Sequence, residues 1–127
     1  MATYRAPTDD MMFLFEKLRD NAYYNELERY KEVNSDLAKD ILEQAAKLTE
    51  NLILPLAKAG DETPAKLENG VVRTPPGYKE AYKKFIDDGW VSLSCDPEYG
   101  GQGMPKTISS FFDEMLSAAS LSFKLYS

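Results

Sequence analysis

The chain has 127 residues, a length that fits one domain around a single core. With 43% hydrophobic and 28% charged residues, and no apolar run near the ~18 residues of a spanning helix, it reads as a soluble globular protein, neither disordered nor membrane-bound. The net charge of −6 with scattered Lys and Arg argues against a nucleic-acid partner, and the lack of any histidine removes Ser-His and Cys-His pairs, His metal ligands and a His general base together.

The opening MATYRAPTDD has no apolar stretch with a small-residue cleavage site, so a cytoplasmic location is expected. From Asp9, the apolar residues Met12, Phe13, Phe15 and Leu18 recur at helical spacing, with Asp9 or Asp10 able to accept from the first-turn N–H groups. Tyr23, Tyr24, Leu27 and Tyr30 mark a second short amphipathic piece. The strongest periodicity runs from Ser35 to about Lys58. Leu37, Ile41, Ala45, Leu48 and Leu52 form its stripe, Leu42, Ala46 and Ile53 flank it, and Ser35 is the expected N-cap. Pro55 has no N–H to give the carbonyl of Asn51, which predicts a kink followed by one more turn before Gly60.

The next segment is built of turn formers, with Asn69-Gly70 its tightest turn and Val71-Val72 a short extended piece. Thr74 is expected to cap a helix opened by Pro75 and Pro76, burying Tyr78, Ala81, Tyr82, Phe85 and Ile86. Gly89 should end it, with Trp90 packing back on its last turn. WVSLS has weak strand character. Cys95 is the only cysteine; Asp96 and Glu98 beside it disfavour a thiolate, so it reads as a buried or half-buried filler. A last helix is predicted from Lys106 to Tyr126, with Ile108, Phe111, Phe112, Met115, Ala118, Ala119, Ser122, Phe123 and Tyr126 on one broad stripe.

The loop DPEYGGQGMP, Asp96 to Pro105, poses the functional question. It lacks the spacing and terminal hydroxyl of a phosphate-binding G-x-x-x-x-G-K-[ST] loop, and its third glycine position for a dinucleotide fingerprint is Lys106. A loop whose glycines permit positive φ or tight packing remains.

Gly89-Trp90, Pro97-Glu98, Gly100-Gly101, Gly103 and Pro105 together resemble the N-terminal part of the acyl-CoA dehydrogenase family. TYRAPTDDMMFLFEKL, PLAKAGD and NGVVRTPPGYKEAY are similar to a long bacterial branch with an extra N-terminal segment, one that includes dehydrogenases of short or sulfur-containing thioesters and alkylation-response proteins. Thr63-Pro64 departs from the glycine often found there. The resemblance implies an all-α, up-down helical bundle, with positions 1–33 a short helical extension and 34–127 the N-terminal helical domain, truncated at its C-terminal end.

In the parent, the resemblance implies α,β-desaturation of an acyl-CoA thioester with FAD as hydride acceptor. The catalytic base and the flavin site would belong to a β domain and a C-terminal helical domain absent from this polypeptide, so no cofactor is expected on the fragment. No catalytic, cofactor-binding or metal-ligating residue is therefore assigned here, and neither Glu98 nor Glu114 is given a catalytic role. Tyr99, Gly100, Gly101, Phe123 and Tyr126 are the candidates for the acyl-side wall, against ordinary core packing and a tight turn. On this reading the apolar side chains of the final helix need cover by a neighbour, by self-association or by refolding of the terminus. The competing reading is a stand-alone helical interaction module, which predicts a closed monomer with no large apolar patch.

Overall fold

Residues 3–127 are described by a computed structural model of the chain; positions 1 and 2 of the expected extension and of the opening peptide lie outside the described residues. Helices dominate, and the only sheet among the described residues is a two-stranded hairpin.

The central helix, α3 (Ser35–Leu48), begins one residue earlier in its capping than expected. The Asn34 side chain accepts the Leu37 N–H at 2.9 Å, and Ser35 is already helical. Both side chains can cap; Asn34 does so because it is the one left in extended backbone, φ −101° and ψ 176°. The buried face is Ala38, Leu42, Ala45 and Leu48, one position round from the expected line, whose Leu37 and Ile41 are only half-buried. This rotation follows from packing on two sides, since α3 contacts both the N-terminal helix and the C-terminal one.

The disturbance ahead of Pro55 is a π turn, Thr49–Ile53, in which Leu54 N donates to the Thr49 carbonyl at 2.8 Å. Widening by one residue rephases the carbonyls before a residue that cannot donate. The helix resumes as α4 (Leu56–Glu62), about two turns rather than one, and runs through Gly60. A β-carbon at Gly60 would collide with the Tyr78 hydroxyl, so glycine sits mid-helix to admit a neighbour.

The N-terminal helix α1 (Thr8–Phe13) runs into a second π turn, Leu14–Leu18. It buries Met11 and Phe15, four apart on one face, and leaves Phe13 and Leu18 exposed, which corrects the expected stripe. Neither Asp9 nor Asp10 caps it, for Pro7 holds the cap position without a side-chain bond. Glu50 ties this segment down, accepting the Ala6 N–H at 2.9 Å and pairing with Arg5 at 3.3 Å. The piece α2 (Asn21–Glu26) is capped by Asp20 and keeps Tyr23, Tyr24 and nearby Leu27 exposed.

Strands β1 (Lys66–Glu68) and β2 (Val71–Arg73) pair antiparallel, with Leu67 opposite Val72 and the turn at Asn69-Gly70. The second was expected; the first, Lys-Leu-Glu, offers no β-branched residue to announce it. Helix α5 (Tyr78–Asp87) is not capped by Thr74. Gly77, at φ 82°, is the cap residue, and Pro75-Pro76 form the turn before it. Tyr78, Ala81 and Phe85 are buried and Tyr82 half-buried, but Ile86 points out at 44% exposure. Gly89 stops the helix at φ 81° as expected, and Trp90 packs on Phe112 of the last helix, centroids 4.8 Å apart. WVSLS is a 3-10 turn over Trp90–Ser92, not a strand.

Helix α6 (Lys106–Lys124) was expected to run unbroken to Tyr126, yet Ser120 is extended, φ −161° and ψ 95°. Its hydroxyl accepts the Phe123 N–H at 3.3 Å, recapping the turn that follows. Lys124 Nζ lies 3.1 Å from Asp113 Oδ1. Eleven residues of straight helix span about 16 Å, more than the two side chains can bridge, so the end of the chain folds back on α6. Leu116 and Ser120 join the buried face, while Ala118 and Ser122 are exposed. The core therefore gathers Met11 and Phe15 from α1 and its π turn, Leu42 and Ile53 from α3 and its π turn, and Met115 and Phe123 from α6.

Candidate functional site: the glycine loop and the aromatic face

The glycine loop closes on itself. Asp96 accepts the Glu98 N–H on its carboxylate at 3.0 Å, and its carbonyl takes Tyr99 at 3.0 Å and Gly101 at 2.9 Å. Gly100 donates to Pro97, Gln102 to Ser92, Gly103 to Cys95 and Met104 to Leu93. Every backbone N–H from 98 to 104 is thus committed within the chain. A dinucleotide needs free backbone donors around its pyrophosphate. The residues of this loop do not fit one.

Gly101 is required for a steric reason. A β-carbon there would overlap the carbonyl of Cys95 and lie 2.6 Å from the Cys95 β-carbon. Cys95 itself is exposed, contrary to the expectation of a buried filler, because Gly101 fills the inside of the turn. Tyr99 stands out at 83% exposure, Gly100 is exposed and Gly101 half-buried.

The other candidates lie on an aromatic face. Tyr78 meets Phe123 edge-on at 5.7 Å and Tyr126 at 5.8 Å between centroids; Tyr82 meets Phe123 at 6.5 Å. Phe85 stacks on Phe112 at 5.9 Å behind them. The Tyr78 and Ser122 hydroxyls are 2.5 Å apart and Ser122 lies 3.2 Å from Ser120, so a chain of hydroxyls runs to the break in α6. Phe123 is fully buried and Tyr126 is 42% exposed. With Arg73 and Lys79 at the rim, these rings line a groove of about 420 Å³.

The fold thus brings Phe123 and Tyr126 together through Tyr78, and leaves Tyr99, Gly100 and Gly101 outside that groove. Tyr78 and Tyr82 escaped notice as site residues because their spacing of four reads as core. The signal was a hydroxyl on each member of a stripe that otherwise carries none.

Two other polar groups are unusual. The Tyr4 hydroxyl is buried without a hydrogen-bond partner; burial first, then the charges of Glu114 and Glu50, push its pKa up. The Arg19 guanidinium sits 5.2 Å from the Phe15 ring centre and 4.4 Å from that of Tyr24, and burial draws its pKa down. Glu98 and Glu114 are both exposed. No cluster of His, Cys, Asp or Glu among the described residues could hold a metal, and no described helix is long and apolar enough to cross a membrane.

No protein-family model matches the chain. Over 123 residues, 97% of its length, it is 42% identical to a 3-methylmercaptopropionyl-CoA dehydrogenase of Ruegeria pomeroyi. Along nearly its whole length the chain resembles acyl-CoA dehydrogenases. A second relative, a broad-specificity linear acyl-CoA dehydrogenase of Mycobacterium tuberculosis, is 26% identical over 129 aligned positions, 99% of the chain. The chain spans 21% of the length of each of these acyl-CoA dehydrogenases. The similarity runs through the extension-like N-terminus as well as the Gly89-Trp90 and glycine-loop motifs.

Proposed function

We propose that the chain supplies the N-terminal helical part of a cytoplasmic, FAD-dependent acyl-CoA dehydrogenase, which desaturates an acyl-CoA thioester between its α and β carbons. It would contribute acyl-side walls and no catalytic base. The observation that carries this is the 42% identity along 97% of the chain to an enzyme named for that activity. Phe123 and Tyr126 would form apolar wall; exposed Tyr99 and Gly100, with half-buried Gly101, would add the loop's share of it. Positions 1–33 remain proposed as an extension and 34–127 as the domain, although Met11 and Phe15 reach into the common core. The flavin would be held by β and C-terminal helical domains beyond this chain's residues, since the glycine loop has no free donors to offer it.

The experiment is purification of the whole gene product followed by flavin spectroscopy and acyl-CoA-dependent reduction of an electron acceptor. Bound flavin with turnover on acyl-CoA thioesters is expected; a colourless protein inert towards every thioester contradicts the assignment.

The stand-alone module is a second reading, favoured by one feature: Met115 and Phe123 are fully buried by the chain itself. Light scattering on the isolated chain separates the two. The dehydrogenase reading expects self-association through the exposed Leu121 and Leu125, and the module reading expects a monomer.

A further inference from the structure

The face built from β2, α5 and the folded-back end of α6 brings two cations without an ion pair to the rim of the aromatic groove. The chain carries −6 overall, and two lysines of α5 are neutralised one turn on: Lys83 by Asp87 at 2.6 Å and Lys84 by Asp88 at 2.7 Å. Lys79 has no such partner, because the residue four positions on is Lys83. Arg73, at the end of β2, makes no ion pair among the described residues either, and neither cation lies over an aromatic ring. Both are exposed on the rim of the aromatic groove, and no acidic residue lines it.

Two cations without an ion pair beside the accessible rings of Tyr82 and Tyr126 complement a molecule with an anionic head and an apolar body. We propose that this groove binds a free amphipathic carboxylate. Arg73 and Lys79 hold the head, and the accessible rings of Tyr82 and Tyr126, backed by buried Tyr78 and Phe123, carry the alkyl body. The guanidinium of Arg73 can take both carboxylate oxygens, and Lys79 adds a point charge beside it. The Tyr78 hydroxyl is committed to Ser122 and its ring is buried, so Tyr78 supports the groove from behind and offers no free donor. At about 420 Å³ the groove falls within the roughly 300–1,000 Å³ of ordinary small-molecule sites. It shares Phe123 and Tyr126 with the acyl-wall reading but needs no flavin and no turnover, so an inactive whole protein would leave it standing.

The test is amide NMR of the isolated chain during titration with decanoate, below its micellar concentration, and in parallel with decanol. Shifts are expected to cluster at residues 72–82 and 123–126. The acid should bind about tenfold tighter than the alcohol, the ratio two exposed cations give a carboxylate. The double variant Arg73→Gln/Lys79→Gln alters only exposed side chains and should bring that ratio to about one. No binding of decanoate, shifts scattered beyond the groove, equal affinity for acid and alcohol, or a preference that survives the double variant each overturns the proposal.

Discussion

A methyl group added at Gly101 would strike the carbonyl of Cys95, whereas one added at Gly100 meets open space and only the strain of φ 85°. Gly101→Ala should therefore cost about 3 kcal/mol, the upper range for overpacking, and Gly100→Ala about 1 kcal/mol, read as denaturation midpoints. Tyr4 makes a second case at this scale. Its buried hydroxyl has no partner, so Tyr4→Phe should leave neutral-pH stability unchanged or slightly raised. Its pKa is higher folded than unfolded, so its contribution is intact below about pH 10 and is lost as pH rises through the folded value. Urea unfolding from pH 9 upward should show a shallower alkaline loss for the phenylalanine variant than for the parent. The motif residues of the loop were readable along the chain, because Asp96, Pro97 and the glycines act within a few positions of one another. The exposure of Cys95 was not, because it depends on what Gly101 displaces from the inside of the turn.

For the helices, periodicity located each run and lost the register wherever a π turn entered. Thr49–Ile53 and Leu14–Leu18 each insert a residue, and Leu18, on the expected stripe, faces out. Caps show the same limit, since Asn34 and Ser35 are both good capping residues and only backbone conformation chooses between them. Asn34→Ala should lower stability by about 1 kcal/mol and Ser35→Ala by under about 0.5 kcal/mol in thermal or chemical unfolding. The break at Ser120 was hidden for a related reason: SAASLSFKLYS is a continuous helical pattern, and only the Ser120 cap and the reach of Lys124 to Asp113 reveal the fold-back. If that fold-back seats Phe123 in the core, Phe123→Ala should cost about 3–5 kcal/mol and Leu125→Ala, 80% exposed, under about 0.5 kcal/mol.

At the scale of the molecule, the aromatic face on the last helix was expected to lack cover within this polypeptide. Of the remedies foreseen, refolding of the terminus is the one present. Phe111, Phe112, Met115 and Phe123 are buried by the chain's own residues, leaving Leu121, Leu125 and Tyr126 as the apolar remainder. The dehydrogenase reading therefore rests on sequence similarity along nearly the whole chain, and the packing of the final helix supplies no independent argument for it. The proposed division of labour is argued from what this chain offers: buried aromatic residues and a self-satisfied glycine loop, with the carboxylates Glu98 and Glu114 both exposed. That division is tested most directly by the turnover number of the whole flavin-loaded protein carrying Glu98→Gln or Glu114→Gln. A change of less than about tenfold in kcat is predicted for both; a loss of about a thousandfold or more in either, the scale of a missing general base, would contradict a wall without chemistry.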